Sequence, residues 1–501
     1  MVMKKYLSIL LALVVLGGCQ APTEKNQNLE ENYRPSYHFT PKKGWMNDPN
    51  GMVYLDGTYH LFFQHNPDTT VWGPMHWGHA TSTDLIHWEE QPIALFPDSL
   101  GTIFSGSAVV DKDNTAGFGK DALVAIFTHH NPKIEEEKTG LHQYQSIAYS
   151  LDKGKSWTKY EGNPVLPNPG IWDFRDPKVM WHAASKQWVM TLATKQSITF
   201  YGSKNLKEWA RLSEFGNEVG AHGGVWECPD LLRFETTEGD KWVLLVSINP
   251  GGPNTGSATQ YFVGDFDGTT FSSDQTDIRW MDYGPDNYAG VTFANTGDQH
   301  ILMGWMSNWA YANTVPASTW RSGMTIPRTL SLEKIQEHWH LVSTPITKDD
   351  QTSGAQQIGA IRVQNGSEDL SKYIKEAHGA FELSFELDAV ASFNMVLANE
   401  KGDELVFGFD ETNNQFFVDR SKAGDANFSP SFIQRTVAPR IASAQKMTYS
   451  VLLDRNSIEI FADGGLSNLS NLFFIDQSFD VLTFKSAKDV EVKNVKVKVI
   501  K

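Results

Sequence analysis

The amino-acid sequence predicts an all-β protein, a five-bladed β-propeller followed by a C-terminal β-sandwich. Three observations lead there. Between about residues 45 and 335, short apolar or aromatic runs alternate with turn chemistry and show little helical periodicity. Within that span one strand–turn–strand unit recurs five times. Past Thr344-Pro345 and a polar stretch at Lys348 to Gly354, strand alternation resumes without the unit. At 501 residues the chain is long enough for two domains with sizeable cores.

The chain opens on a segment, 1–18, that reads as processing signal. Lys4 and Lys5 form a basic region, and Leu7 to Leu16 is an apolar run too short to span a bilayer. Leu16-Gly17-Gly18-Cys19 resembles a bacterial lipobox, in which Cys19 is acylated and becomes the mature N-terminus. Residues 19–33 would then be a polar tether, 34–345 the propeller and 346–501 the sandwich. The expected location is the bacterial envelope, lipid-anchored, on the periplasmic side or the cell surface. A formal net charge of −16 argues against a nucleic-acid partner. Cys19 and Cys228 are the two cysteines, so acylation of the first leaves no intrachain disulfide. Sixteen tryptophans suit either dense packing or sugar-stacking platforms.

The first unit runs from Gly51 to Gln64 about an Asp56-Gly57 turn. The second pairs Ser107–Val110 with Ala122–Phe127, and the third Pro177–Trp181 with Gln187–Leu192. The fourth pairs Pro229–Phe234 with Lys241–Val246, and the fifth Gly290–Phe293 with His300–Trp305. Polar turns closing on an aromatic follow at Ser82–Trp88, Ser150–Trp157, Ser203–Trp209 and, more weakly, Asp265–Phe271. Counted from Asp48, Ser105, Asp176, Glu227 and Gly290, the units start 57, 71, 51 and 63 residues apart. Four-stranded blades with variable outer loops have that spacing. A sandwich is the competing arrangement here, but it has no reason to repeat one unit five times.

In a propeller, the residue opening each innermost strand lies at one end of the central channel. Asp48, Asp176 and Glu227 would therefore face one another around a funnel. Taken alone, Asn47-Asp48-Pro49-Asn50-Gly51 is an ordinary turn; its recurrence as a carboxylate-plus-proline unit gives it weight. Crowded carboxylates should raise at least one pKa. An ionised and a protonated carboxyl flanking one bond is what a glycosidase needs. The Trp226 and Cys228 neighbours predict the less polar site for Glu227, which should stay protonated while Asp48 stays ionised. Cys228 has no evident base and reads as a buried inert thiol. His65, His76, His79, His129 and His130 form no metal-ligand motif, and neither metal nor cofactor is expected.

Trp45-Met46-Asn47-Asp48-Pro49-Asn50-Gly51, Phe174-Arg175-Asp176-Pro177 and Trp226-Glu227-Cys228-Pro229 resemble, in order and spacing, the signature blocks of glycoside hydrolase family 32, the β-fructosidases. Phe63 to Pro67, Trp72-Gly73, Phe104 to Ser107 and Gly304 to Trp309 match accessory blocks. The resemblance implies Asp48 as nucleophile, Glu227 as acid/base, and Asp176, with Arg175 beside it, as transition-state stabiliser. It also implies that Trp45, Asn47, Gln64, Trp72, Phe104, Ser105 and Trp309 bind the terminal fructose. Substrates would be levan, inulin or sucrose, cut with retention. Pairing of Trp72 with Trp309 around one sugar favours attack at chain ends, with internal cleavage as the alternative. A fructosyltransferase would share these residues. A non-catalytic glycan-binding lipoprotein would lack part of the carboxylate set, and an inverting pentosidase of similar fold would lack the Asn47–Gly51 and Trp226–Cys228 blocks.

In the last third, Ala380–Leu387, Glu404–Phe409, Gln415–Val418, Thr448–Leu453, Ser457–Phe461 and Val490–Ile500 alternate as strands, the pattern of a sandwich. Its expected role is structural.

Overall fold

The computed structural model describes residues 33–347 and 355–500, apart from 365 and 433. The processing segment, Cys19 and nearly all of the expected tether lie outside the described residues. Strand is the dominant regular structure among the described residues. The single α-helix among the described residues, Pro132–Glu136, interrupts the second blade, and three single-turn 3-10 helices lie further on.

Five antiparallel sheets form the propeller. Their innermost strands are Gly44–Leu55, Thr102–Asp111, Phe174–His182, Val225–Thr236 and Tyr288–Thr292. Each touches the next, and the fifth touches the first, so the ring is closed. Trp320–Arg321, which follows the fifth blade's second strand, pairs in parallel with Gly44 and Trp45 and ties the ring's ends together. The polar turns expected from the sequence are present and lie between third and fourth strands, and their residue choice has a local cause. Asp84 accepts from the amides of Ile86 and His87, and Asn205 from those of Lys207 and Glu208. The closing rings then fold back: Trp88 and Trp209 each donate their indole N–H, at 3.1 Å, to the carbonyls of Leu85 and Leu206.

The second part consists of two six-stranded sheets facing each other. Phe381–Leu387 alternates buried and half-buried residues along its length, the period-two signature of a strand packed on one face. On the facing sides, Phe385 stacks on its cross-strand neighbour Tyr449 at 4.8 Å and Phe393 on Phe484 of the adjoining strand at 5.0 Å, and Phe385 meets Phe393 across the sheets at 5.7 Å.

The two parts are joined by more than the chain. The segment leading into the fifth blade lies along the sandwich strand Ser467–Leu472, with Tyr283 N–H donating to Asn468 O (2.9 Å) and Asp286 N–H to Ser470 O (3.1 Å). A Cβ at Gly284 would lie 2.1 Å from backbone atoms of Ser470, which explains the glycine. Buried charges lock the seam: Arg420 meets Asp286 at 2.7 Å, and Arg328 meets Asp282 at 2.8 Å and Glu459 at 3.3 Å. All are nearly inaccessible to water, so each charge depends on its partner.

Candidate active site

Each innermost strand slips register near the same end of the channel. In the third, fourth and fifth blades, residues 176–177, 228–229 and 289–290 have no ladder partner. Their first members, Asp176, Cys228 and Ala289, adopt the left-handed backbone with φ of 64°, 46° and 53°. Proline follows twice, where no ladder N–H is needed. The slip aims the preceding residues, Arg175, Glu227 and Tyr288, toward one another. In the first blade the corresponding slip falls at Gly51, φ 51°, and an additional one between Met46 and Pro49 brings Asp48 inward. Asp176 and Glu227 are therefore one residue out of step, although both open units in the sequence.

Two adjoining clusters result. In one, Glu227 is held from both sides. Arg175 donates to its Oε1 from Nε (3.1 Å) and Nη2 (2.9 Å), while Tyr288 Oη donates to Oε2. Arg175 Nη1 reaches Asp173 at 2.6 Å. In the other, Ser105 Oγ donates to Asp48 Oδ2 at 2.6 Å and Asn47 Nδ2 to Oδ1 at 3.0 Å. The Cys228 thiol lies 3.6 Å from an oxygen of both Asp48 and Asp176, and the Cys228 amide donates to Asp176 at 3.1 Å.

Burial dominates the electrostatics. It pushes the Asp176 carboxyl up to about 7; Arg175 pulls the other way, and the charges of Glu227 and Asp48 add to the rise. Burial also raises Asp48, opposed by the Ser105 and Asn47 hydrogen bonds. Burial, then the surrounding carboxylates, lift the Cys228 thiol well above its ordinary range, in keeping with an inert buried thiol. The expected apolar surroundings of Glu227 are not found. Strand alternation turns Trp226 into the blade core, where its indole N–H donates to Ala221 O at 2.8 Å. Cys228 faces the two aspartates, and Glu227 sits between a guanidinium and a phenol.

These groups line a cavity of about 320 Å³ at the channel mouth. A larger one of about 400 Å³ opens at the channel's other end, walled in part by Trp181, Trp188 and Leu232, and its Asp230 is committed to Lys178 at 3.1 Å. Converging carboxyls, rather than size, single out the smaller cavity.

The chain matches the glycosyl hydrolases family 32 N-terminal domain over residues 38–345 and the family 32 C-terminal domain over 347–499. It belongs to glycosyl hydrolase family 32. Among relatives of this family 32 chain, the levanase of Bacillus subtilis strain 168 is 43% identical over 511 residues, covering 98% of this chain and 74% of that protein. The extracellular exo-inulinase of Aspergillus niger is 40% identical over 492 residues, covering 89% and 90%. Among solved structures, the exo-inulinase from Aspergillus awamori superposes with a TM-score of 0.84 at 36% identity, covering 94% of this chain and 98% of that one. The β-fructofuranosidase from Schwanniomyces occidentalis complexed with fructosyl-erythritol gives 0.83 at 33%, covering 94% and 98%.

Ten residues named from the sequence line the family 32 cavity: Asn47, Asp48, Gln64, Trp72, Phe104, Ser105, Arg175, Asp176, Glu227 and Trp309. Trp45 does not. It is fully buried beneath Trp309 (5.9 Å) and donates its indole N–H to Asn47 Oδ1 at 2.7 Å, so it orients Asn47 from behind. The sequence reading missed Tyr288, because the fifth unit was counted from Gly290. Counting back from the slip shared with the third and fourth units would have found it. It also missed Gln143, which accepts from the Phe174 amide at 2.9 Å, and Trp172 on the cavity wall.

Proposed function

We propose that the protein is a retaining β-fructosidase that releases fructosyl units from the ends of fructans and cleaves sucrose. The observation that carries this reading is the convergence of Asp48, Asp176 and Glu227 in one cavity, with Glu227 gripped by Arg175 and Tyr288. The names of the levanase and exo-inulinase relatives support the substrate class. Asp48, whose two oxygens each receive a hydrogen bond that favours the ionised form, attacks the anomeric carbon of the bound fructosyl unit. Glu227 protonates the departing oxygen and afterwards deprotonates the water that frees the enzyme. Asp176 holds ring hydroxyls. A neutral sugar that excludes water sharpens repulsion among the three carboxyls and keeps a proton within the cluster. Gln64, whose Nε2 has no partner among the described residues, donates to a sugar hydroxyl. Trp309 and Phe104 supply apolar walls around one terminal ring.

The test is a product profile on levan, inulin and sucrose, sampled early. Fructose from the outset is the expected result; an oligosaccharide ladder would replace end attack by internal cleavage. Loss of release by Asp48→Asn and Glu227→Gln with folding intact is expected, and an active Asp48→Asn protein would refute the mechanism. We further propose that the chain divides at 345/346 and that Cys19 carries lipid in a bacterial envelope. Radiolabelled palmitate should enter the wild type and not Cys19→Ser.

A further inference from the structure

We infer that Trp172 is the stacking platform for the sugar on the leaving side of the scissile bond. This inference rests on the fructosidase reading. Arg175 joins Glu227 to the Trp172 side of the cavity: one arm grips Glu227 at 2.9 Å and another holds Asp173, the residue next to Trp172, at 2.6 Å. The acid that protonates the departing oxygen must lie beside it, so the ring beyond that oxygen lies on the Asp173–Trp172 side. The terminal fructose, by contrast, occupies the side of Asp48 and Asp176.

Trp172 is built to receive a ring. It lines the cavity yet stays 39% exposed. An exposed tryptophan on a convex surface is ordinary; one on a cavity wall beside an acid presents apolar area where a sugar arrives. Its position is fixed from behind. The buried His142 ring lies 4.6 Å away. Asn168 Oδ1 accepts from the amides of Gly170 (2.9 Å) and Ile171 (2.8 Å), pinning the loop just ahead of it. Gly140 allows the neighbouring loop to approach, since a Cβ there would come within 2.9 Å of Gly170 O. A rigid indole with a wet face costs little ordering on binding and offers a flat surface to the C–H face of a sugar. On the same wall Glu135, on the short helix, keeps its side chain 41% exposed while its carboxylate meets His130 Nε2 at 3.2 Å, an acceptor for that sugar's hydroxyls.

The test is a ratio. For the wild type, Trp172→Ala and Trp172→Phe, kcat/KM is measured on a β-linked difructose and on methyl β-D-fructofuranoside, whose leaving group has no ring. The difructose-to-methyl ratio should fall about three- to tenfold in Trp172→Ala and recover most of that in Trp172→Phe. An unchanged ratio in Trp172→Ala overturns the inference. So does a Trp172→Phe ratio as low as that of alanine, because a ring would then not be what matters. A wild type that cleaves neither compound overturns the fructosidase reading itself, before any variant is compared, and the inference falls with it.

Discussion

Replacing Asp176 by Asn should cost activity and yet stabilise the fold increasingly as the pH is raised. Burial holds the folded carboxyl at about 7, against 3.8 for the free group. A carboxyl with a raised folded pKa favours the folded state while protonated. Its contribution to stability is therefore intact below about pH 4 and is lost as the pH rises through 7. At 1.36 kcal/mol per unit, the loss is about 4 kcal/mol by pH 8. Asn keeps an acceptor for the Cys228 amide and never ionises, so the variant escapes that loss. Removing the charge also relieves Asp48, since the Asp48 and Asp176 carboxylates repel one another, so the effect has the same sign there. Urea unfolding of both proteins at unit steps from pH 4 to pH 8 measures it. The stability difference should move in the variant's favour by several kcal/mol across that window. A difference that stays flat, or moves toward the wild type, would refute the electrostatic picture of the cluster. Exchange of stability for a poised site is a common cost of catalysis.

Tyr288→Phe removes the hydroxyl donor to Glu227; a charge-assisted bond of roughly 1.5–3 kcal/mol predicts a loss of that order in a denaturant titration, with kcat lowered as Glu227 loses one of its two holds, read by steady-state kinetics. Arg420→Met leaves Asp286 charged and buried without its guanidinium, and should cost about 3–5 kcal/mol in a denaturant titration. The Cys228 thiol, buried and raised by its surroundings, should not react with a disulfide reagent at pH 8 until the protein is unfolded. Gly284→Ala, which would drive a methyl into Ser470, should lower stability comparably to Arg420→Met if the two act on one seam.

The repeat was legible because each blade must solve the same local problem. A polar turn returns the chain and an aromatic closes it, as Asp84 with Trp88 and Asn205 with Trp209 do within a few residues. The carboxyls and most of the cavity wall were legible as ordered motifs. What remained hidden depends on contacts across the fold. The surroundings of Glu227 come from Arg175, 52 residues before it, and Tyr288, 61 after, and adjacent letters in a strand describe the opposite face. Trp45 was placed one row too far forward for a related reason: a tryptophan in a motif can touch the sugar or the residue that touches it, and only packing distinguishes them. The seam between the two parts was invisible, because Asp282 and Asp286 meet partners well over a hundred residues downstream.

That seam has a consequence for how freely this protein can change. Asp286 lies two positions before Tyr288, and Tyr288 touches Glu227. The sandwich thus supplies one wall of the mould in which the partner of Glu227 is cast. Arg420, Ser470 and the carbonyl of Leu472 lie outside the cavity lining, yet they hold the segment that carries Tyr288 to Glu227. Grafting this propeller onto another protein's sandwich would transplant the carboxyls and leave behind part of what aims them.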